Sequence, residues 1–167
     1  MNYKIIENFI PENHFKAIYK FLTESLSPME WKYNEEVGDE NDYSSFLFFK
    51  GIYPFEEETI KHGHFRVIIP LLFYSNIYTP MRIRINCFPK TPTPITTAPH
   101  QDQKYPHNVL LYSVNTNNGY TVLDPGGKNI KVPSVANQAL FFDGSITHQA
   151  VTQTDTNIRV NINVNYV

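Results

Sequence analysis

His100-Gln101-Asp102, His148 and Arg159 are the side chains of this chain whose types and spacing could do chemistry. If residues 98–102 run as a strand, side chains alternate between faces, so His100 and Asp102 project from one side, about 7 Å apart at the backbone. Gln101 then faces away. Two imidazoles and one carboxylate on one triangular face form a ligand set for ferrous iron that leaves positions open, and His148 supplies the second imidazole. Arg159 adds a permanently charged, planar donor suited to a carboxylate. Together these residues would allow redox chemistry with no organic cofactor permanently bound. His14, His62, His64 and His107 have no ligand-spaced carboxylate in a strand context and are read as structural.

The surrounding elements must bring these residues together, and the chain changes texture near Thr79-Pro80. Before that point the signals are largely helical. Phe15, Ile18, Tyr19, Leu22 and Leu26 recur at helical spacing, with Asn8 or Pro11 as a start, which predicts an amphipathic helix of about four turns. Residues 27–54 carry Pro28, Gly38, an acidic run (Glu35, Glu36, Asp39, Glu40, Asp42) read as a solvated loop, and the aromatic run Phe46–Phe49, read as a strand. From Glu56 to Ile77 the pattern is partly helical (Phe65, Ile68, Ile69, Leu72, Phe73), and Pro70 is expected to end or kink a turn.

After Pro80 the period becomes two. Arg82, Arg84 and Asn86 share one face of a strand, against Met81, Ile83, Ile85 and Cys87 on the other. In the last segment Arg159, Asn161, Asn163 and Asn165 oppose Ile158, Val160, Ile162, Val164 and Tyr166. Short strands are expected near 96–101, 108–114, 120–123, 129–132, 138–142 and 147–152. Turn chemistry at Asn117-Asn118-Gly119, Asp124-Pro125-Gly126-Gly127 and Asp143-Gly144 separates them. About eight strands in under ninety residues match a double-sheet jelly roll. The fold class expected is therefore α+β, a double-stranded β-helix with N-terminal helices. Residues 1–167 are read as one domain, with 1–79 as helical support and 80–167 as the jelly-roll core. Apolar faces should pack on the helices and polar faces should line a cavity between the sheets. A second guanidinium there, on Arg84, calls for an anion or a protein carboxylate.

At 167 residues one packed domain suffices, and a hydrophobic fraction of 41% with 12 Phe and 11 Tyr suits it. A formal net charge of −2 gives no general reason to bind polyanions, so nucleic acid is disfavoured as a bulk partner, leaving only a local basic patch. The lone Cys87 forms no internal disulfide. The start, Met1-Asn2-Tyr3-Lys4, has no long apolar run, so a soluble, reducing, cytoplasmic setting without a membrane anchor is expected.

From about Met81 to Val167 the chain resembles the core of the iron(II)- and 2-oxoglutarate-dependent oxygenases, the grouping that includes prolyl hydroxylases and AlkB-type nucleic-acid demethylases. The resemblance runs through His100-Gln-Asp102, Asn118-Gly119-Tyr120-Thr121 in place of a Gly-Gly turn and strand, Val132-Pro133 before Ala139-Leu140-Phe141-Phe142, His148, and Arg159-Val-Asn161. It implies that His100, Asp102 and His148 bind Fe(2+), and that Arg159 holds the distal carboxylate of 2-oxoglutarate. Asn161 stands where many relatives have a hydroxyl residue. Asn86 is implied as a second contact to the co-substrate. Phe88 lacks the hydroxyl a Tyr would bring, and Tyr112 or Ser113 could supply one from the next strand. The activity implied consumes O2 and 2-oxoglutarate, releases succinate and CO2, and hydroxylates or oxidatively demethylates a protein, peptide or small molecule. The resemblance extends to compact bacteriophage oxygenases, although no residue speaks for that origin.

Two other readings compete. A non-catalytic, cupin-like binding module would keep the fold with an incomplete ligand set, whereas this set is intact. An AlkB-like demethylase would share the His-Gln-Asp and Arg-x-Asn pairs, but the second Arg expected six residues after the first is Asn165 here. Surface loops usually decide specificity in such folds, so the substrate and the oligomeric state stay open.

Overall fold

The computed structural model describes residues 3–24, 30–35, 45–53 and 64–167. Along the chain lie β1 (Tyr3–Ile6), α1 (Glu12–Thr23), β2 (Lys32–Asn34), β3 (Leu47–Tyr53), α2 (Phe65–Ser75) and β4 (Pro80–Pro89). Then follow β5 (Asn108–Ser113), β6 (Asn117–Asp124), β7 (Ile130–Ser134), β8 (Gln138–Asp143), β9 (Thr147–Val151) and β10 (Ile158–Tyr166).

The two strands with the clearest alternation, β4 and β10, pair with each other. Asn161 lies opposite Asn86, Ile162 opposite Ile85 and Asn163 opposite Arg84. Residues directly opposite in an antiparallel ladder share a face, so two alternating sequences in this register sum to one polar and one apolar surface. On the apolar side Ile83, Ile85, Val160, Ile162 and Val164 join Ile18 and Leu22 of α1 and Ile68 and Leu71 of α2 in the main core. The larger sheet has the order β1-β8-β5-β10-β4-β3-β2 and the smaller one β7-β6-β9. Bridges at Thr96–Val151 and His100–His148 add residues 96–100 to the outer side of β9. A second core, built on Val109, Leu123, Val132, Leu140 and Phe142, joins the two sheets at one end. The sandwich interior is therefore apolar under β5 and β8 and polar under β4 and β10, as a jelly roll with a ligand-bearing cavity requires.

Several expectations need correction. The first half of the chain is more than helical support, because β1 pairs with β8 and β3 pairs with β4. Covering β8 with β1 protects what would be an exposed edge. Residues 96–101 make only isolated bridges, since Pro94 and Pro99 cannot donate to a ladder. Asn117-Asn118-Gly119 is no turn; it begins β6 with an irregular register between Asn117 and Tyr120. Asn117 Oδ1 accepts from Gly119 N–H at 3.0 Å, and a Cβ on Gly119 would lie 2.9 Å from both that oxygen and the Val151 carbonyl. Pro70 does not end α2, which continues to Ser75, because a proline there removes a single intrahelical bond. Asn76, left-handed at φ 55°, closes the helix. Ile69 and Phe73 are exposed rather than core. α1 is one turn shorter than expected; Leu26, the acidic residues 36–42 and the stretch 56–63 lie outside the described residues.

Candidate metal centre and cofactor pocket

His100, Asp102 and His148 converge, each offering one ligand atom within 4.8 Å of the others. The pairing that brings them together is the bridge between residue 100 and residue 148, where each backbone N–H donates to the other's carbonyl at 3.0 and 2.9 Å. The ring centroids are 4.4 Å apart. His100 Nδ1 lies 3.2 Å from the Ala98 carbonyl and His148 Nδ1 lies 3.4 Å from the Ile146 carbonyl. A carbonyl only accepts, so a ring bonded in this way donates from Nδ1, the tautomer that presents Nε2 to a metal.

Asp102 does not arrive by strand alternation as expected. It sits in a bend just past the last bridge, and three polar residues of β4 and β10 set its position. Arg82 donates to Oδ1 at 2.8 Å, while the amides of Asn163 and Asn165 both donate to Oδ2 at 2.9 Å. Asn165 also donates to Asn163 Oδ1 at 3.2 Å, which ties the two amides together. With two donors on Oδ2 and one on Oδ1, Oδ1 keeps the freer lone pair. Burial favours the protonated acid, but His148, Arg82 and the two amides outweigh it and hold the carboxyl well below the usual carboxylate range. Burial also pushes the His148 imidazole down to about 4, against the pull of Asp102, so it is neutral at neutral pH. Two neutral-competent imidazoles and one fixed carboxylate fit a ferrous ion, with the adjoining cavity as the space for its remaining positions.

That cavity has a volume of about 270 Å³ and is bounded by the polar face of β4 and β10 and by the smaller sheet. Arg159 lies at the end away from Asp102, buried and stacked 5.4 Å from the Phe88 ring centroid. Nε donates to Ser134 Oγ at 3.0 Å, Nη1 to the Val151 carbonyl at 3.2 Å and Nη2 to Thr121 Oγ1 at 3.1 Å. Five N–H groups less these three leave one on each terminal nitrogen, a pair that a carboxylate can take. Burial lowers this guanidinium to about 10, so it remains charged.

Of the other expected contacts, Asn86 and Asn161 line the cavity and bond to each other, Asn86 Nδ2 to Asn161 Oδ1, at 3.0 Å. Tyr112 does not face the cavity. It is fully buried in the helix-side core, where its hydroxyl donates to Asn137 Oδ1 at 2.9 Å. Asn137 in turn holds Ile10, so Tyr112 fastens the N-terminal segment to the sheet. Leu111 takes the cavity side of β5 instead. The hydroxyls that do reach Arg159, those of Thr121 and Ser134, escaped the sequence reading because they come from the smaller sheet. The only sequence sign of Thr121 was its place in the Asn-Gly-Tyr-Thr stretch. His107 is buried against the Tyr105 carbonyl at 2.8 Å, outside the metal site. Gly144 makes room for its ring, since a Cβ there would fall 2.3 Å from Cε1.

No family model and no curated protein matches the sequence. Solved structures do match. A prolyl hydroxylase from Trichoplax adhaerens, in complex with a hypoxia inducible factor oxygen degradation domain peptide fragment, is 16% identical with a TM-score of 0.69, covering 99% of this chain and 83% of that one. An oxidoreductase of the 2OG-Fe(II) oxygenase family from Burkholderia pseudomallei is 14% identical with a TM-score of 0.68, covering 99% and 84%. The epimerase SnoN in complex with Fe3+, alpha ketoglutarate and nogalamycin RO is 12% identical with a TM-score of 0.62, covering 99% and 78%. At such identities the likeness is one of architecture, and it agrees with the two sheets and the metal-competent cavity: the chain has the fold of the iron(II)- and 2-oxoglutarate-dependent oxygenases.

Proposed function

We propose that the protein is an iron(II)- and 2-oxoglutarate-dependent dioxygenase that hydroxylates, or oxidatively demethylates, a small-molecule or peptide substrate. The observation that carries this reading is the placing of His100, Asp102 and His148 in the same cavity as a buried Arg159 with two N–H groups to spare. A three-ligand site alone would also suit zinc hydrolysis. A buried arginine aimed into the same space adds a receptor for a carboxylate co-substrate, which hydrolysis does not call for.

His100, Asp102 and His148 would hold the iron. Bound there, ferrous iron supplies the coupling of O2 and 2-oxoglutarate consumption to oxidation of a C–H bond, with release of succinate and CO2. The chain's own residues do the rest. The Ala98 and Ile146 carbonyls fix both imidazole tautomers, and Arg82, Asn163 and Asn165 orient the carboxylate. Arg159, braced by Thr121 and Ser134, binds the distal carboxylate of the co-substrate and sets its direction. Asn86 and Asn161 lie between Arg159 and the metal site on adjoining strands, where their amides line the co-substrate's path. Leu111 and Phe142 add an apolar wall to the same cavity.

The test is succinate formation from 2-oxoglutarate in air with ferrous iron and ascorbate, in wild type and His148→Ala, followed by a mass-spectrometric search of cell extract for a product heavier by one oxygen atom. Iron-dependent succinate that disappears in His148→Ala supports the reading. Equal turnover in the two proteins contradicts it.

A further inference from the structure

The sequence contains four arginines, and three of them, Arg82, Arg84 and Arg159, line this one cavity. Their partners differ. Arg159 is braced by three acceptors and Arg82 is paired to Asp102 at 2.8 Å. Arg84 has its guanidinium carbon 4.0 Å from the centroid of the Phe49 ring, which covers one face of the group. Its Nε and Nη2 are both buried, and neither has a hydrogen-bond partner among the described residues. These two nitrogens form one edge of the guanidinium, and their N–H bonds run parallel, at the spacing of the two oxygens of a carboxylate. Arg82, by contrast, already spends Nη2 of that edge on Asp102, leaving only Nε unpartnered.

Charge points the same way. Among the described residues, the side chains of fixed charge around the cavity are three guanidinium groups and one carboxylate. A divalent metal adds two positive charges and 2-oxoglutarate removes two, so a net positive charge remains with both bound. A buried guanidinium edge with no acceptor is costly unless an anion completes it.

We propose that Arg84 is a substrate-recognition residue, whose Nε/Nη2 edge receives a carboxylate of the substrate at a position separate from Arg159. Phe49 stacks on the guanidinium plane and fixes the direction in which that edge points. That the ligand is the substrate rests on the oxygenase reading above. That an anion receptor exists does not, and the test separates the two.

Four arginines give four Nε–H resonances, which allows a site-resolved measurement on the full chain labelled with 15N-arginine. The protein is loaded with zinc as a diamagnetic stand-in, saturated with 2-oxoglutarate and titrated with propionate, then separately with inorganic phosphate. The Arg84 resonance is identified by its loss in Arg84→Met, and Arg84→Lys keeps the charge without the parallel donors. The expected result is a saturable shift of the Arg84 resonance with propionate, while Arg159 stays still, and, measured by calorimetry, affinity weaker by about tenfold or more in Arg84→Lys. Tighter binding of phosphate would overturn the choice of carboxylate. A shift of Arg84 on adding 2-oxoglutarate, with none from propionate, would make it part of the co-substrate site and overturn the separate receptor. A response confined to Arg82, or none to either anion, would overturn the proposal altogether. Repeating the titration on metal-free protein keeps the outcome readable even if zinc and 2-oxoglutarate fail to bind, a failure that would count against the oxygenase reading alone.

Discussion

The β4–β10 pair presents two faces built from alternating residues of the same two strands, yet the faces answer to different physics. On the helix side Ile83, Ile85, Val160, Ile162 and Val164 are at most 1% exposed and belong to the main apolar core. On the cavity side Arg82, Arg84, Asn86, Arg159, Asn161 and Asn163 surround a space and a cluster of ligand atoms. Apolar groups gain from contact of any orientation, so the first face stabilises the fold as a whole. Polar groups taken from water must find specific partners, so the second face is organised around ligands and contributes little to stability by itself. Substitutions on the two faces should therefore fail in different assays.

The largest effect is expected at Asp102. Asp102→Ala removes one of the three proposed protein ligands and leaves the Arg82 guanidinium beside the site, so metal affinity should fall well beyond the roughly 10–100-fold that loss of a supporting residue costs. Anaerobic calorimetry with ferrous iron measures this, and unchanged far-UV circular dichroism shows that the fold survives. On the opposite face, Ile162→Ala should cost about 2–5 kcal/mol of stability, read from urea unfolding. The iron affinity of its folded fraction should stay at the wild-type value. If Ile162→Ala weakened iron binding as much as Asp102→Ala, the separation of the two faces would be lost.

A smaller effect is expected from Asn165→Ala, which removes one of two amides on Asp102 Oδ2 and leaves Asn163 in place. Iron affinity should drop by about tenfold. Wild-type affinity would mean that Asn163 and Arg82 alone set the carboxylate. The mildest test concerns Cys87, which sits on the apolar face. Burial pushes its thiol up to about 11, so it should be almost wholly protonated at pH 8 and alkylate only on unfolding. Reaction with iodoacetamide in native buffer at the rate seen in urea would show that this face is open to solvent.

Much of this division was legible in the sequence because both key strands are half-polar. Alternation in Arg82–Phe88 and Arg159–Tyr166 assigns each side chain to a face without knowledge of the partner strand. The cluster was legible for another reason: His-x-Asp alone arises often by chance, but with strand signals around it, a second imidazole at His148 and Arg159 beyond, the four residues form a set. Where both faces of a strand are buried the signal vanishes. Val109, Leu110, Leu111 and Tyr112 are all apolar and all packed, so nothing in their order showed that Tyr112 points to the helices. Long-range support was also hidden. Thr121 and Ser134 reach Arg159 from 38 and 25 residues away, through a sheet-to-sheet packing that no local pattern encodes. The position of Asp102 was expected for the wrong reason: Arg82, Asn163 and Asn165 hold it across the cavity after the strand has ended.

The central claim is that one cavity joins a metal site to a carboxylate anchor. Anaerobic titration of 2-oxoglutarate into the protein, followed through the visible absorption of an iron-bound keto acid, tests it directly when run with and without ferrous iron and in Arg159→Met. The account calls for one-to-one binding that requires iron and weakens on the order of a hundredfold in Arg159→Met, as loss of a buried charge-assisted pair implies, while iron itself stays bound. Binding of 2-oxoglutarate that ignores iron, or an Arg159→Met protein that binds it as tightly as wild type, would contradict the account.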